Sequence, residues 1–156
     1  MHKEQTLMIV KPDALTRGLV GEIVGRCERK GFQIVGMKFM HLTTDLLEEH
    51  YAHIKDKPFF PGVVKFMQSA PSLAIVFQGK NVANAIRVMA GTTNAAEALP
   101  GTLRGDYALS IQQNVVHVSE DLAAAKAEVA RFFKPDELFH YDRADFAAIY
   151  AEDERN

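Results

Sequence analysis

Residues 114–121, NVVHVSED, join two elements of different period. Val115 to Val118 is a β-branched run that reads as a strand, interrupted only by His117. Ser119 then offers a helix cap, with Glu120 and Asp121 in the positive first turn and Leu122, Ala125, Val129 and Phe132 along the inner side. A strand that runs straight into an amphipathic helix, this late in the chain, closes a sequence of alternating strands and helices.

The earlier elements alternate in the same way. Thr6 to Val10 is a short strand stopped by Lys11-Pro12, since Pro12 cannot continue a central strand. Leu19 to Lys30 keeps Val20, Ile23, Val24 and Cys27 at helical spacing, and Gly31 is placed for a left-handed cap. Phe32 to Leu42 is a second strand whose alternation breaks once near Gly36, as a bulge would do. Thr43, Thr44 and Asp45 cap a helix predicted to run through Ile54 until Lys57-Pro58 stops it, and a short helix covers Phe60 to Met67. Leu73 to Phe77 is a third strand ending at Gly79, followed by a helix that Asn81 caps, with Val82, Ala85, Ile86 and Met89 inward and Arg87 on its polar flank. Thr92 to Tyr107 lacks periodicity and is too long for a plain connection, so it reads as either a disordered or a functional loop. The tail from Glu152 to Asn156 is polar and low in structural signals. The order contains the split βαβ arrangement, predicting an α+β, ferredoxin-like sandwich: a four-stranded antiparallel sheet with helices on its faces.

Composition narrows the function class. The 156 residues fit one domain, and a 47% hydrophobic fraction with a formal net charge of −2 is that of an ordinary globular protein, not of a strongly basic nucleic-acid binder. The start has too short an apolar run for a signal peptide and no later run approaches a membrane span, so a cytoplasmic protein is expected. The lone Cys27 falls on the apolar stripe of its helix and reads as core.

Neither glycine-rich phosphate motif occurs, so a phosphate site must be built from side chains. Lys11 at a strand end, Arg87 beside a helix, Arg104 in the long loop and Thr93 near it are the candidates; each alone is also an ordinary surface residue. His117 precedes a helix N-terminus, where an anion is welcome, and is either a satisfied core histidine or a functional one. The second requires a partner that fixes the neutral tautomer, and Glu128 supplies one if its helix folds back over the strand. His41, His50 and His53 lack the accompanying ligands of a zinc site, so no metal site built by protein alone is expected. Phe59 is core or an exposed platform for a base, and Asn114 a turn residue.

Taken together, the segments TLMIVKPDAL, HYAHIKDKPFFPGVVKFM, RVMAGTTNAAEALPGTLRGDYA, NVVHVSED and RFFKPDELFHY, in this order and with Glu128 before the last, resemble the nucleoside diphosphate kinases along nearly the whole chain. The resemblance implies one such kinase domain over residues 1–156. Its activity would move the γ-phosphate of a nucleoside triphosphate such as ATP to a nucleoside diphosphate through a phosphohistidine on His117. It implies that Glu128 holds one ring nitrogen, and that Lys11, Arg87, Arg104 and Thr93 bind phosphates. Tyr51 would orient the transferring group or the histidine, Asn114 would meet the sugar with Lys11, and Phe59 would stack on the base beside Val63 and Ile111. Ser119, a member of the family's His-Gly-Ser-Asp motif, joins the catalytic set. Magnesium (Mg2+) would arrive on the nucleotide phosphates, as befits an ion that keeps waters and binds few protein groups.

The chain departs from that motif at Val118, where the family has glycine, and glycine permits close approach or unusual backbone angles that valine resists. An alternative is therefore a nucleotide-binding regulatory relative with impaired turnover. A third is an RNA-binding ferredoxin-like domain, because Lys30 to Val35 partly imitates an RNA-binding strand, although the first strand lacks the aromatic such domains need. The loop Leu99-Pro100-Gly101-Thr102 and the tail after Lys134-Pro135 resemble those of hexameric family members, so a homohexamer is expected, with nucleotides rather than nucleic acid or membrane as partners.

Overall fold

The computed structural model describes residues 3–155. In chain order its main elements are β1 (Glu4–Val10), α1 (Pro12–Thr16), α2 (Val20–Lys30), β2 (Gln33–Met40), α3 (Thr44–His50), α4 (Phe60–Met67), β3 (Ser72–Gly79), α5 (Val82–Ala90), α6 (Leu103–Tyr107), β4 (Val116–Val118), α7 (Leu122–Phe132) and α8 (Phe146–Ile149). The strands form one sheet in the order β2-β3-β1-β4, with every neighbouring pair antiparallel. Two split βαβ units interleave: β1 and β2 flank β3, while β3 and β4 flank β1. This is the ferredoxin-like sandwich that the element order predicts.

Both faces of the sheet are covered, which explains why β1 is apolar at successive positions instead of alternating. Met8 and Val10 pack with Ile75, Phe77, Val116 and Val118 against Ile23 and Cys27 of α2 and Val82 and Ile86 of α5. Leu7 and Ile9 point the other way, onto Leu47 of α3, Met67 of α4 and Val129 and Phe132 of α7. Filling two such layers is the main stabilising term. It also removes the open sheet face that an RNA-binding domain of this topology uses; Phe32 is itself buried at the end of β2.

Several local expectations hold. Gly31 closes α2 with φ +106, β2 carries its register shift between Ile34 and Gly36, and Cys27 is fully buried. Others need correction. The third helix stops at His50 and not at Ile54, because residues 51–56 turn repeatedly and only the Thr43 cap matches the expectation. Asn81 caps nothing with its side chain: it adopts φ +53 to turn the chain from β3 into α5, a conformation asparagine tolerates. Ser119 is not the cap of α7; Asp121 is, its carboxylate accepting from Ala124 N at 2.8 Å. The segment 92–107 is ordered, with α6 capped by the Thr102 hydroxyl. The sequence pattern gives no sign of α1, whose Pro12 sits in the first turn where a missing N–H is harmless. The tail is also placed: Glu152–Glu154 form a 3-10 turn and Lys80 pairs with Glu154, while its last residue, Asn156, lies outside the described residues.

Candidate active site

His117 lies opposite Ile9 in the β1–β4 ladder. Its side chain therefore shares the face covered by α3, α4 and α7, while Val116 and Val118 turn into the other layer. Glu128, midway along α7, reaches His117 Nε2 with Oε2 at 3.1 Å, and the Ser119 hydroxyl donates to the same oxygen at 2.6 Å. Burial raises the Glu128 carboxyl, but the hydrogen bond and charge of His117, the Ser119 hydroxyl and the His50 ring outweigh it and hold the group below its ordinary value. An ionised carboxylate only accepts, so Nε2 carries a proton, and Nδ1 keeps its lone pair whenever the ring holds that one proton alone.

The turn before β4 is strained. Val115 has φ +68, a left-handed conformation rare for a β-branched residue. Three contacts hold it: Asp13 Oδ2 accepts from Val115 N at 3.0 Å, Val115 O accepts from Lys11 N at 2.9 Å, and Asn114 O accepts from Val116 N at 2.9 Å. Val118, by contrast, pairs with Met8 inside β4 and is not among the residues of positive φ. The unusual backbone angles foreseen at Val118 thus belong to Val115.

One cleft of about 1170 Å³ takes in Lys11, Tyr51, Phe59, Val63, Arg87, Thr93, Arg104, Ile111, Asn114, His117 and Glu128. Of the site residues picked from the sequence only Ser119 is missing from its walls; it lies behind Glu128, fully buried. Lys11 is buried, with Nζ donating to Asn114 Oδ1 at 2.8 Å and Gln112 O at 3.1 Å. Burial and the nearby Arg104 charge push its pKa down to about 8, against an opposing pull from Asp13. Arg104 is held by Gly91 O and Val116 O at 2.7 and 2.8 Å, and burial with the Arg87 charge lowers it to about 10. The Asn114 amide nitrogen donates internally, to Thr93 O and Ile111 O, while Oδ1 keeps a second lone pair beside the Lys11 bond. Burial keeps the Tyr51 hydroxyl protonated well above its usual range. Phe59 and Ile111 are 58% and 65% exposed, an apolar rim with half-buried Val63.

Three contributors escape sequence reasoning. Asp13 carries the strained turn. His50 lies edge-on to His117, centroids 4.4 Å apart at 78°, and Arg131 of α7 donates from Nη1 to His50 Nδ1 at 3.2 Å. Only the position of His50 on the inner side of a helix hinted at burial. His50, His117 and Glu128 bring possible ligand atoms within 4.8 Å of one another. They do not fit a resident metal ion, because Arg131 consumes the His50 Nδ1 lone pair and leaves Nε2 protonated. His41 and His53 are exposed.

The family model for nucleoside diphosphate kinase matches residues 4–138. The chain is 47% identical over 149 residues to nucleoside diphosphate kinase B of Canis lupus familiaris, covering 96% of this chain and 98% of that protein. It is 46% identical over 151 residues to the nucleoside diphosphate kinase of Parabacteroides distasonis, covering 97% and 99%. Among solved structures it is similar to a halophilic nucleoside diphosphate kinase from Halobacterium salinarum in complex with CDP, with a TM-score of 0.92, 46% identity and coverage of 96% and 99%. No helix among the described residues is long and apolar enough to cross a membrane.

Proposed function

The chain belongs to the nucleoside diphosphate kinase family, whose members are phosphotransferases acting on nucleotides, and from that premise we propose that His117 is the phosphate carrier of a ping-pong reaction. The observation that carries the proposal is the pairing of His117 Nε2 with the Glu128 carboxylate in a cleft walled by four cationic side chains, Lys11, Arg87, Arg104 and Arg131. In the first half-reaction Nδ1 forms a bond to the γ-phosphorus of ATP or another triphosphate as the bond from that phosphorus to the β-bridging oxygen breaks. The diphosphate leaves with the electron pair, and Glu128 offsets the positive charge that develops on the ring. In the second half-reaction a terminal oxygen of another nucleoside diphosphate takes the phosphoryl group and restores neutral His117.

Lys11, Arg87, Arg104 and Thr93 hold the phosphates, Tyr51 orients the moving group, and Ser119 fixes Glu128. Phe59 stacks on the base between Val63 and Ile111, a contact that tolerates any base. Asn114 and Lys11 meet the sugar. The halobacterial relative was solved with CDP, which supports a nucleoside diphosphate as ligand here. Magnesium fits as part of the substrate: Lys11, Arg87, Arg104 and Thr93 offer no carboxylate, two of the carboxylates in the cleft, Glu49 and Glu128, are paired with Arg131 and His117, and the ion would neutralise phosphate charge. The enzyme would work in the cytoplasm as a homohexamer.

Against the impaired-turnover alternative, Val118 lies in β4 and is not among the described residues of positive φ, so backbone strain there does not support it. Initial rates with ATP and a diphosphate varied together are expected to give parallel double-reciprocal lines; converging lines would mean direct transfer without a carrier.

A further inference from the structure

Glu128 fixes the His117 ring only through a bond lying in the plane of that ring, which leaves the tilt of the plane open. Two rings stand nearly perpendicular to it, Tyr51 with centroids 6.2 Å away and His50 at 4.4 Å, so His50 is the closer contact and sets that tilt. What the edge presents depends on where His50 keeps its proton. Its Nδ1 faces Arg131 Nη1 at 3.2 Å. A guanidinium has donors and no acceptor and stays charged, so Nδ1 has to accept and the proton has to sit on Nε2. Nε2 is buried and makes no other hydrogen bond in the structure. Burial, with the charges of His117, Arg131 and His53 outweighing the opposing pull of Glu128, lowers the His50 pKa to about 3, in keeping with a single neutral form at pH 7. Arg131 is itself held, its Nε donating to Glu49 Oε1 at 3.1 Å on the outer side.

We infer that Arg131 is a positioning residue for phosphotransfer: by donating to His50 Nδ1 it locks His50 in the Nε2–H tautomer, and His50 in that form braces the plane of the His117 ring at the angle from which Nδ1 attacks. The inference rests on the reading of His117 as phosphate carrier. Neither Arg131 nor His50 needs to touch the nucleotide. The two braces differ in kind: Glu128 holds the ring through a hydrogen bond at Nε2, and His50 through a ring contact at an interplanar angle of 78°.

Arg131→Met removes the donor and keeps the length of the side chain, and Arg131→Lys restores a donor-only cation. The tautomer of His50 is read by long-range proton–nitrogen NMR of the imidazole rings, and transfer by single-turnover labelling from γ-labelled ATP. In the wild type His50 is expected to be protonated on Nε2 alone. Arg131→Met is expected to mix the tautomers and slow labelling of His117 about tenfold, the low end of what loss of an outer orienting contact does, with nucleotide affinity unchanged within about twofold. Arg131→Lys is expected to restore both the tautomer and the rate. Wild-type His50 protonated on Nδ1 overturns the inference, as does an Arg131→Met protein that labels at the wild-type rate, or an Arg131→Lys protein that recovers the fold but not the rate. Label on a residue other than His117 in the wild type would instead defeat the carrier assignment, and the inference with it; it is read from the wild type alone.

Discussion

Lys11 carries an unusual burden for a lysine: it is 8% exposed, bonded to two oxygens, and close to a second buried cation. With its pKa lowered to about 8, part of the population has lost the proton just above neutrality, and a bound polyphosphate should return it. A phosphate beside the ammonium raises the pKa, so binding takes up a proton where the free protein is deprotonated and the complex is not. Calorimetry of diphosphate binding in buffers of different ionisation heat should therefore show uptake of a large fraction of one proton at about pH 9 and little from Lys11 at pH 7. Binding at pH 9 with no proton uptake would mean that Lys11 does not meet the phosphates.

At the scale of elements, the turn and strand from Asn114 to Val118 show how far a sequence can be read. The β-branched run and the helix start after it are local patterns, so β4, its histidine and the opposing Glu128 were legible one element at a time. The motif's glycine points to strain at Val118; in the structure the strain lies at Val115, set by Asp13 from a helix about a hundred residues earlier. His50 and Arg131 escaped for the same reason: their pairing links α3 to α7, and spacing along one helix is silent about contacts with another. Ser119, the first capping residue after the strand, likewise reads as a cap in the sequence, although Asp121 takes that place and frees the Ser119 hydroxyl for Glu128. Val118→Gly consequently should not speed transfer. It removes a side chain 7% exposed in the inner layer and adds backbone freedom to the unfolded chain, a loss of about 2–4 kcal/mol by burial and glycine terms together. Chemical denaturation and steady-state assays of the variant check this; a faster enzyme of unchanged stability would return the strain to Val118.

Across the whole molecule, the covered sheet leaves β2 at one edge with Met37 and Phe39 46% and 64% exposed, and the 99–102 loop carries Leu99 at 74%. An open strand edge with apolar side chains favours association, which supports the proposed homohexamer. The tail, expected to help subunits meet, also binds its own chain through Ile149 on Gly31 and through Arg143 Nη1 donating to Phe32 O at 2.7 Å. Light scattering at micromolar concentration is expected to give six times the 17.4 kDa chain mass; a stable dimer or tetramer would contradict it. The fold brings all of this to bear on one nitrogen. β4 presents His117, α7 supplies Glu128, and the cationic walls come from the end of β1, from α5 and from α6. The most direct measurement incubates wild type and His117→Ala with magnesium and γ-labelled ATP, followed by acid, alkali or a nucleoside diphosphate. If His117 carries the phosphate, the wild type takes up label that alkali spares and that acid or the diphosphate removes. None is expected on His117→Ala, although a nucleotide still raises the melting temperature of that variant. Acid-stable label, or equal labelling of His117→Ala, would contradict that role.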